Sequence, residues 1–428
     1  MKQYYQHLIQ EWRARPLPHI VPRALDIANY LDPALRKIVT VTGFRRVGKT
    51  YLLLDYASHL GQKNCIYLNL EDERIPEKTE SLTLFSDSLA ELGIPENTVL
   101  LLDEIQNIPN WSKWARRMNE TTKYQLILTG SSSELTYRKL PTELRGRSLN
   151  MQVNTLTFTD FINFKGKSLP DLPQQQILAL LHEFLTFGGL PEIVLADEGR
   201  KYLLLAEYLK TFITRDIIER YHIRKEHTLG ALIDLLINST EFTASKLANT
   251  LESVDSDISR STVQKYITYL QESFFLQSLL WHDASAKNRM QAPRKTYFVD
   301  SFFISSSSGF SNNTGRLMEQ KVYEKLQSVL MNNPAYNLYY WRNQQRYEVD
   351  FVLREKERTI RLIQVSYIRQ GGTIPEREVR NLALAAKHLN CKDLILVTWD
   401  MSGEHQLDGY HIRLVPLVEF LTVESIHI

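Results

Sequence analysis

The chain has 428 residues, 43% hydrophobic and 23% charged, which is more than one ordinary domain holds and points to roughly two to four folded ones. A formal net charge of +2 excludes bulk charge as a reason to bind nucleic acid or a membrane, so any basic surface must be local. Cys65 and Cys391 stand far apart, lack metal-ligand spacing and read as small buried residues of a reducing compartment. Residues 1–15 carry no signal-peptide pattern and no apolar run has spanning length, so the expectation is a soluble cytoplasmic protein without a membrane partner.

Residues 1–35 join an amphipathic stretch to Pro16, Pro18 and Pro22, which break helices and mark an approach segment. From 37 to 150, apolar β-branched runs at 38–42, 65–70, 98–102 and 125–129 alternate with helical patterns at 50–60, 81–92 and 111–121. Such alternation predicts a parallel sheet with helices on its faces, an α/β class. Residues 151–225 read as a helical connecting, lid-like region, with helices at 174–187 and 202–221 separated by Gly188-Gly189-Leu190-Pro191. Residues 226–304 have a winged helix-turn-helix layout. A helix at 229–238 is followed by a short helix capped by Thr243, a longer helix at 259–275, and strands at 276–281 and 295–299 around a basic loop at 283–294. The Ser/Gly/Asn-rich stretch 305–314 reads as a linker and opens a last α/β unit, 305–428.

The run Gly43-Phe44-Arg45-Arg46-Val47-Gly48-Lys49-Thr50 fits the phosphate-binding pattern GxxxxGK(S/T), between a strand and a helix that begins near Tyr51. Free N–H groups and the positive helix end suit a phosphate, and the glycines let the backbone curl around it. Arg45 and Arg46 suit contact with phosphate or with a partner. A second run, 98–104, is a buried strand ending in Asp103 and Glu104, where ligands bind in such sheets. Asp103 and Thr50 are candidates to share Mg²⁺, Lys49 to neutralise the β- and γ-phosphates, and Glu104 to act as general base toward water. At the end of the strand 125–129, Thr129 and Ser131 are candidates to hold the water or the γ-phosphate, or else belong to a Ser-rich turn that caps the next helix. Arg145 and Arg147 supply cations shortly after, either as solvated surface groups or as groups delivered to the phosphoryl group of another subunit.

These residues, with Leu102 to Ile105, the Leu-Thr-Gly-Ser-Ser run at 128–132 and the Gly-Arg at 146–147, resemble the AAA+ superfamily. The likeness is to prokaryotic ATPases that carry a winged helix and a C-terminal domain of unknown function; it extends through Gly188 to Pro191 and Gly315-Arg316-Leu317-Met318-Glu319. The resemblance implies ATP as the nucleotide, arginine supply in trans and hence a homo-oligomer. It also implies that the acidic strand lies beside the phosphate-loop strand.

In the winged-helix unit, Ser261, Thr262, Gln264, Lys265 and Thr268 lie opposite the apolar stripe of the longer helix and suit base edges and phosphates. Lys287, Arg289, Arg294 and Lys295 in the wing suit backbone phosphate. Glu252, Asp255 and Asp257 argue against DNA there, and the layout serves protein contact or a rigid lid as well. In the last unit, Glu319, Asp350, Gln364 and Ser366 resemble in order the Glu, Asp and Glu-x-Lys set of restriction-endonuclease-like domains. Gln364 and Ser366 replace an acid and a lysine, which implies a nuclease-like fold with lost or altered activity.

The leading functional expectation is an Mg²⁺-dependent ATPase acting on DNA, other nucleic acid or an associated complex. Two alternatives stand beside it: a nucleotide switch controlling a protein partner, and a DNA-binding regulator with a structural nucleotide site.

Overall fold

A computed structural model describes residues 2–32, 34–130, 142–306, 314–331 and 333–423. It divides the chain into two compact units, Met1–Asn154 and Thr155–Ile428. Among the described residues no helix is long and apolar enough to cross a membrane.

The first unit is built on five parallel strands: β1 (Ile38–Thr42), β2 (Cys65–Asn69), β3 (Val99–Asp103), β4 (Gln125–Gly130) and β5 (Ser148–Gln152). Their order is β2-β3-β4-β1-β5. Every residue of β1 and β3 is buried, as expected when helices cover both faces and the strand is apolar throughout. The covering helices include Lys49–Leu60, Glu80–Glu91 and Trp111–Thr121, close to the predicted segments.

The order corrects one expectation. The acidic strand β3 is not beside the phosphate-loop strand β1, because β4 lies between them and pairs with both. Its interposition carries the Thr129 side chain in between the two motifs. The edge strand β5 was not predicted; Ser-Leu-Asn-Met-Gln has neither an apolar run nor a clean alternation, and two of its five residues are exposed. The amphipathic N-terminal stretch forms a helix, Lys2–Ala14, whose Tyr5, Leu8, Ile9 and Trp12 are buried at helical spacing. Tyr5, Leu8 and Ile9 share a core with Leu82 and Phe85, and Trp12 Nε1 donates to Cys65 O over 2.9 Å.

Among the described residues, an extended apolar cluster of the second unit draws on Phe158, Phe161 and Phe184, on Leu279 and Tyr297, on the helix Thr314–Met331 and on the C-terminal sheet, and a further cluster joins Val349, Val352 and Leu362 to Leu382 and Leu394. The boundaries expected near 225 and 304 therefore fall inside a single compact unit. The helix predicted at 202–221 runs as Glu198–Thr211 and then widens into π-helical turns at Phe212–Glu219. The helices Glu226–Ile237, Ala244–Leu251 and Arg260–Glu272 follow, the second capped by Thr243, which accepts from Lys246 N. Next comes a small antiparallel sheet of order β6-β8-β7, made of β6 (Glu241–Phe242), β7 (Leu276–Leu279) and β8 (Arg294–Phe298). The basic loop between β7 and β8 holds a short helix, Ala286–Gln291.

The C-terminal sheet is mixed, with order β13-β14-β12-β11-β10-β9. Its strands are β9 (Tyr336–Arg342), β10 (Glu348–Glu355), β11 (Arg358–Val365), β12 (Leu394–Thr398), β13 (Gly403–Leu407) and β14 (Tyr410–Pro416). The two sheets of this unit are joined directly: His282 N donates to Tyr340 O over 2.7 Å and Tyr340 N to Leu280 O over 3.0 Å. The Gly188-Gly189 pair has a steric reason. Gly188 sits at φ 75°, and a Cβ there would lie 1.6 Å from Asp300 Oδ1, while Gly189 N donates to Asp300 Oδ2 over 2.8 Å.

Candidate nucleotide site

The buried strand β1 ends at Thr42, and the chain must turn at once into the helix Lys49–Leu60. Gly48 makes this turn at φ 95° and caps the helix, leaving the first N–H groups of the helix without a side-chain cap. At Gly43 the backbone passes so close to Val153 that a Cβ would meet its carbonyl oxygen at 2.2 Å. Phe44 and Val47 are buried in the unit, so these two members of the loop serve through their backbone. Lys49 is also buried, and its ammonium donates to Gly43 O and Phe44 O, each over 3.1 Å, which holds it against the inside of the loop. Arg45 is half-buried; Arg46 and Tyr51 are exposed at the rim.

Asp103 ends β3 and is 2% exposed. Its Oδ2 accepts from Thr50 Oγ1 over 2.7 Å and from the Tyr67 hydroxyl over 2.9 Å, and its Oδ1 accepts from the Thr129 hydroxyl. Burial, with the Asp103 carboxylate beside it, pushes the Tyr67 phenol far up, so it stays a donor. Thr129 Oγ1 in turn accepts from Glu104 N over 3.0 Å. Glu104 has left-handed backbone geometry at φ 53°, uncommon for a residue with a side chain, and marks the sharp exit from the strand. Its Oε2 accepts from Gln106 Nε2 over 2.5 Å. Lys49, Thr50, Asp103, Glu104 and Thr129 thus meet at the C-terminal edge of the sheet, the edge where parallel α/β sheets take ligands.

Three contributors here escaped the sequence reading. Tyr67 falls within the predicted strand 65–70, and Gln106 lies outside every predicted element. Arg23, from the proline-rich approach segment, donates to Val47 O over 2.8 Å and to Asn154 O over 2.9 Å, tying the loop to the end of the unit. None has a local signature, because each acts through a contact distant in sequence or through a turn.

Arg145 and Arg147 are not brought to the loop of their own chain. Ile38 N, at the start of β1, donates to Arg147 O over 2.9 Å, so this pair lies at the N-terminal edge of the sheet, away from the phosphate loop. Arg145 is exposed, and Arg147 pairs with Glu120 at 2.9 Å. Ser131 lies outside the described residues.

In the second unit, Gln264 and Lys265 are exposed on the helix Arg260–Glu272, and Thr262 is half-buried. Arg289 is turned inward to its own loop, donating to Asp283 O over 2.5 Å and to Ala284 O over 3.2 Å, which takes up two of its donors. Arg294 opens β8 half-buried. Lys295 contradicts its expected role at backbone phosphate: it is buried, and its ammonium reaches Glu319 at 3.0 Å, Glu348 at 2.9 Å and Asp350 at 2.7 Å. β8 is buried from Lys295 to Phe298, and Lys295 and Tyr297, two residues apart, both reach Glu319, so basic composition misled. Glu319, Asp350 and Gln364 do come together, for Gln364 Oε1 accepts from Asp350 N over 3.1 Å. Ser366 follows the end of β11, where its N–H donates to Val397 O over 2.9 Å.

Fold and site together define a class, a P-loop protein of the AAA type with further C-terminal domains. Residues 35–162 match the family described as an AAA domain, residues 178–314 a domain of unknown function (DUF8612) and residues 314–420 another (DUF4143). MJ1544 of Methanocaldococcus jannaschii is 34% identical over 410 residues, covering 91% of this chain and 89% of that one. The chain belongs to the same family as that protein. A Haemophilus influenzae protein is 25% identical over 415 residues, covering 92% and 97%. Among solved structures, the Walker-type ATPase PABY2304 of Pyrococcus abyssi aligns with a TM-score of 0.43 at 13% identity, covering 71% of this chain and 95% of that one.

Proposed function

We propose that this chain binds ATP with Mg²⁺ and hydrolyses it to ADP and phosphate, working as a homo-oligomer on nucleic acid or a nucleic-acid-associated complex. The observation that carries the reading is the meeting of Lys49, Thr50, Asp103, Glu104 and Thr129 at one sheet edge. Thr50 and Asp103 offer hard oxygen donors in contact with each other, the type Mg²⁺ takes, so they would hold the ion, which when bound offsets phosphate charge. The first N–H groups of the helix Lys49–Leu60, which no side chain caps, and the Lys49 ammonium receive phosphate oxygens. Glu104 takes a proton from the water whose oxygen attacks the γ-phosphorus. The bond from that phosphorus to the β–γ bridging oxygen breaks, and ADP leaves with the electron pair. The position of Arg145 and Arg147 away from their own loop supports a role, if catalytic, toward the phosphates of a second copy. Exposed Gln264 and Lys265 support a winged-helix surface for nucleic acid.

The test is ATP turnover by wild type and Glu104→Gln, each with DNA, with RNA and alone. Glu104→Gln should lose roughly 10²-fold or more in turnover while still binding ATP; equal rates would refute the base assignment. Lys49→Ala should lose nucleotide binding. Stimulation of the wild-type rate by either nucleic acid is expected, and its absence for both would remove that partner.

One contact favours a second reading, the nucleotide switch. The Gln106 amide holds the carboxylate of Glu104, and a base so engaged turns over slowly until a partner frees it. In that case Gln106→Ala should raise basal turnover severalfold; an unchanged or lower rate would set the switch aside.

A further inference from the structure

Lys295 and its three acids come from three elements. The lysine is on β8 of the small sheet, Glu319 on the helix Thr314–Met331, and Glu348 and Asp350 on β10 of the large sheet. All three carboxylates lie within 3.0 Å of one buried ammonium. Nearby groups complete the arrangement. The Tyr297 hydroxyl donates to Glu319 Oε1 over 2.6 Å, and Arg342 pairs with both Glu348, at 2.5 Å, and Glu241 of β6, at 2.7 Å. Val365 N donates to Asp350 Oδ2 over 2.9 Å. Buried charges persist only when paired and hydrogen-bonded, and here each acid is.

Gln364 fits this pairing. Its amide oxygen accepts from Asp350 N, and its amide nitrogen donates to Glu378 over 2.7 Å. A carboxylate at 364 would put a further negative charge beside Asp350. The cation that the pattern lacks at Ser366 is present after all, but it arrives from β8, outside the expected domain.

We propose that the Lys295 ammonium is the resident cation of the Glu319–Glu348–Asp350 cluster, standing where a divalent metal would otherwise be needed and fastening the small sheet to the large one. The C-terminal sheet then serves as a fixed partner of the small sheet and not as a metal-dependent nuclease. Lys295 and Arg342 supply two positive charges against four acids, Glu241, Glu319, Glu348 and Asp350. Burial pushes the Asp350 carboxyl up to about 7 against the pull of Lys295, while Lys295 and Arg342 hold Glu348 below its usual range despite its burial.

The experiment is thermal unfolding of the full chain with and without Mn²⁺, in the absence of nucleotide. Wild type should show no Mn²⁺-dependent rise in Tm that Asp350→Asn removes. Lys295→Met leaves three acids without their ammonium, so its Tm should fall, and Mn²⁺ should restore part of the loss. Adding Asp350→Asn to Lys295→Met should abolish that rescue. Should Lys295→Met fail to fold, the neutralised variant Lys295→Met/Glu348→Gln/Asp350→Asn should recover soluble, cooperatively unfolding protein. If the neutralised variant is no better than Lys295→Met, charge pairing is not what the cluster does. A saturating Mn²⁺ shift in wild type that Asp350→Asn removes would overturn the proposal. So would Mn²⁺-dependent DNA cleavage lost on Lys295→Met.

Discussion

Thr50 Oγ1 donates a hydrogen bond to Asp103 Oδ2 over 2.7 Å, joining the first residues of the phosphate-loop helix to the end of a strand two places away in the sheet. If these oxygens share Mg²⁺, Thr50→Ala should raise the Mg²⁺ concentration for half-maximal turnover by about 10-fold or more, and Thr50→Ser should retain the wild-type value. An Mg²⁺ titration of ATP hydrolysis measures both. An unchanged midpoint in Thr50→Ala would show that the hydroxyl only braces Asp103.

Thr129 serves both acids, giving its hydrogen to Asp103 and accepting the N–H of Glu104. Thr129→Val keeps the shape of the side chain and loses both bonds. Turnover should fall roughly 10–100-fold with little change in nucleotide affinity, because Glu104 and Asp103, proposed as general base and metal ligand, lose their alignment and the loop does not. Thr129→Ser should recover most of the rate. Equal losses in affinity and rate would indicate a merely structural role.

Gly43→Ala should destabilise the first unit by about 1–3 kcal/mol, since the added methyl collides with Val153 O and the backbone conformation disfavours a side chain. Chemical denaturation reads this loss. Gly93→Ala is the informative control: its φ of 62° is also positive, but nothing lies within 4 Å of its Cβ. The Gly43 variant should therefore lose more.

His282 sets a pH dependence. Burial, aided by the charges of Arg354 and Arg289 and opposed by Asp283, pushes its imidazole down to about 4, and His388 adds to the fall. The folded pKa lies below the ordinary 6.5, so the unfolded chain takes up the proton first as pH falls. This contribution is full above pH 6.5 and is lost progressively toward pH 4. The denaturation midpoint of His282→Gln should decline less over that window than that of wild type. Parallel curves would contradict the assignment.

What could be read from the chain was whatever has a local physical cause. The phosphate loop is set by glycine backbone freedom at fixed spacing, and β1, β3 and β4 are apolar because parallel strands are covered on both faces. Those features appear in any window that contains them. Strand order does not: β4 between β1 and β3 is a nonlocal choice, and the side-by-side placement implied by resemblance failed on it. Lys295 failed for a related reason. It sits in a run of basic and polar residues, and only the pairing of β8 with β7 and β6 turns its side chain toward acids more than twenty residues away. Tyr67 and Gln106 are ordinary strand and turn residues until the sheet brings Asp103 and Glu104 to them.

Arg23 has a consequence for how the chain tolerates shortening. Its guanidinium grips the carbonyls of Val47 and Asn154, and the helix before it fills part of the core through Tyr5, Leu8 and Ile9. A protease cut after residue 30 would spare every residue of the nucleotide motifs, yet the remaining fragment would lack the clasp on its phosphate loop. The first unit therefore begins well upstream of its first recognisable motif, and a version trimmed to the motif would be a different, looser protein.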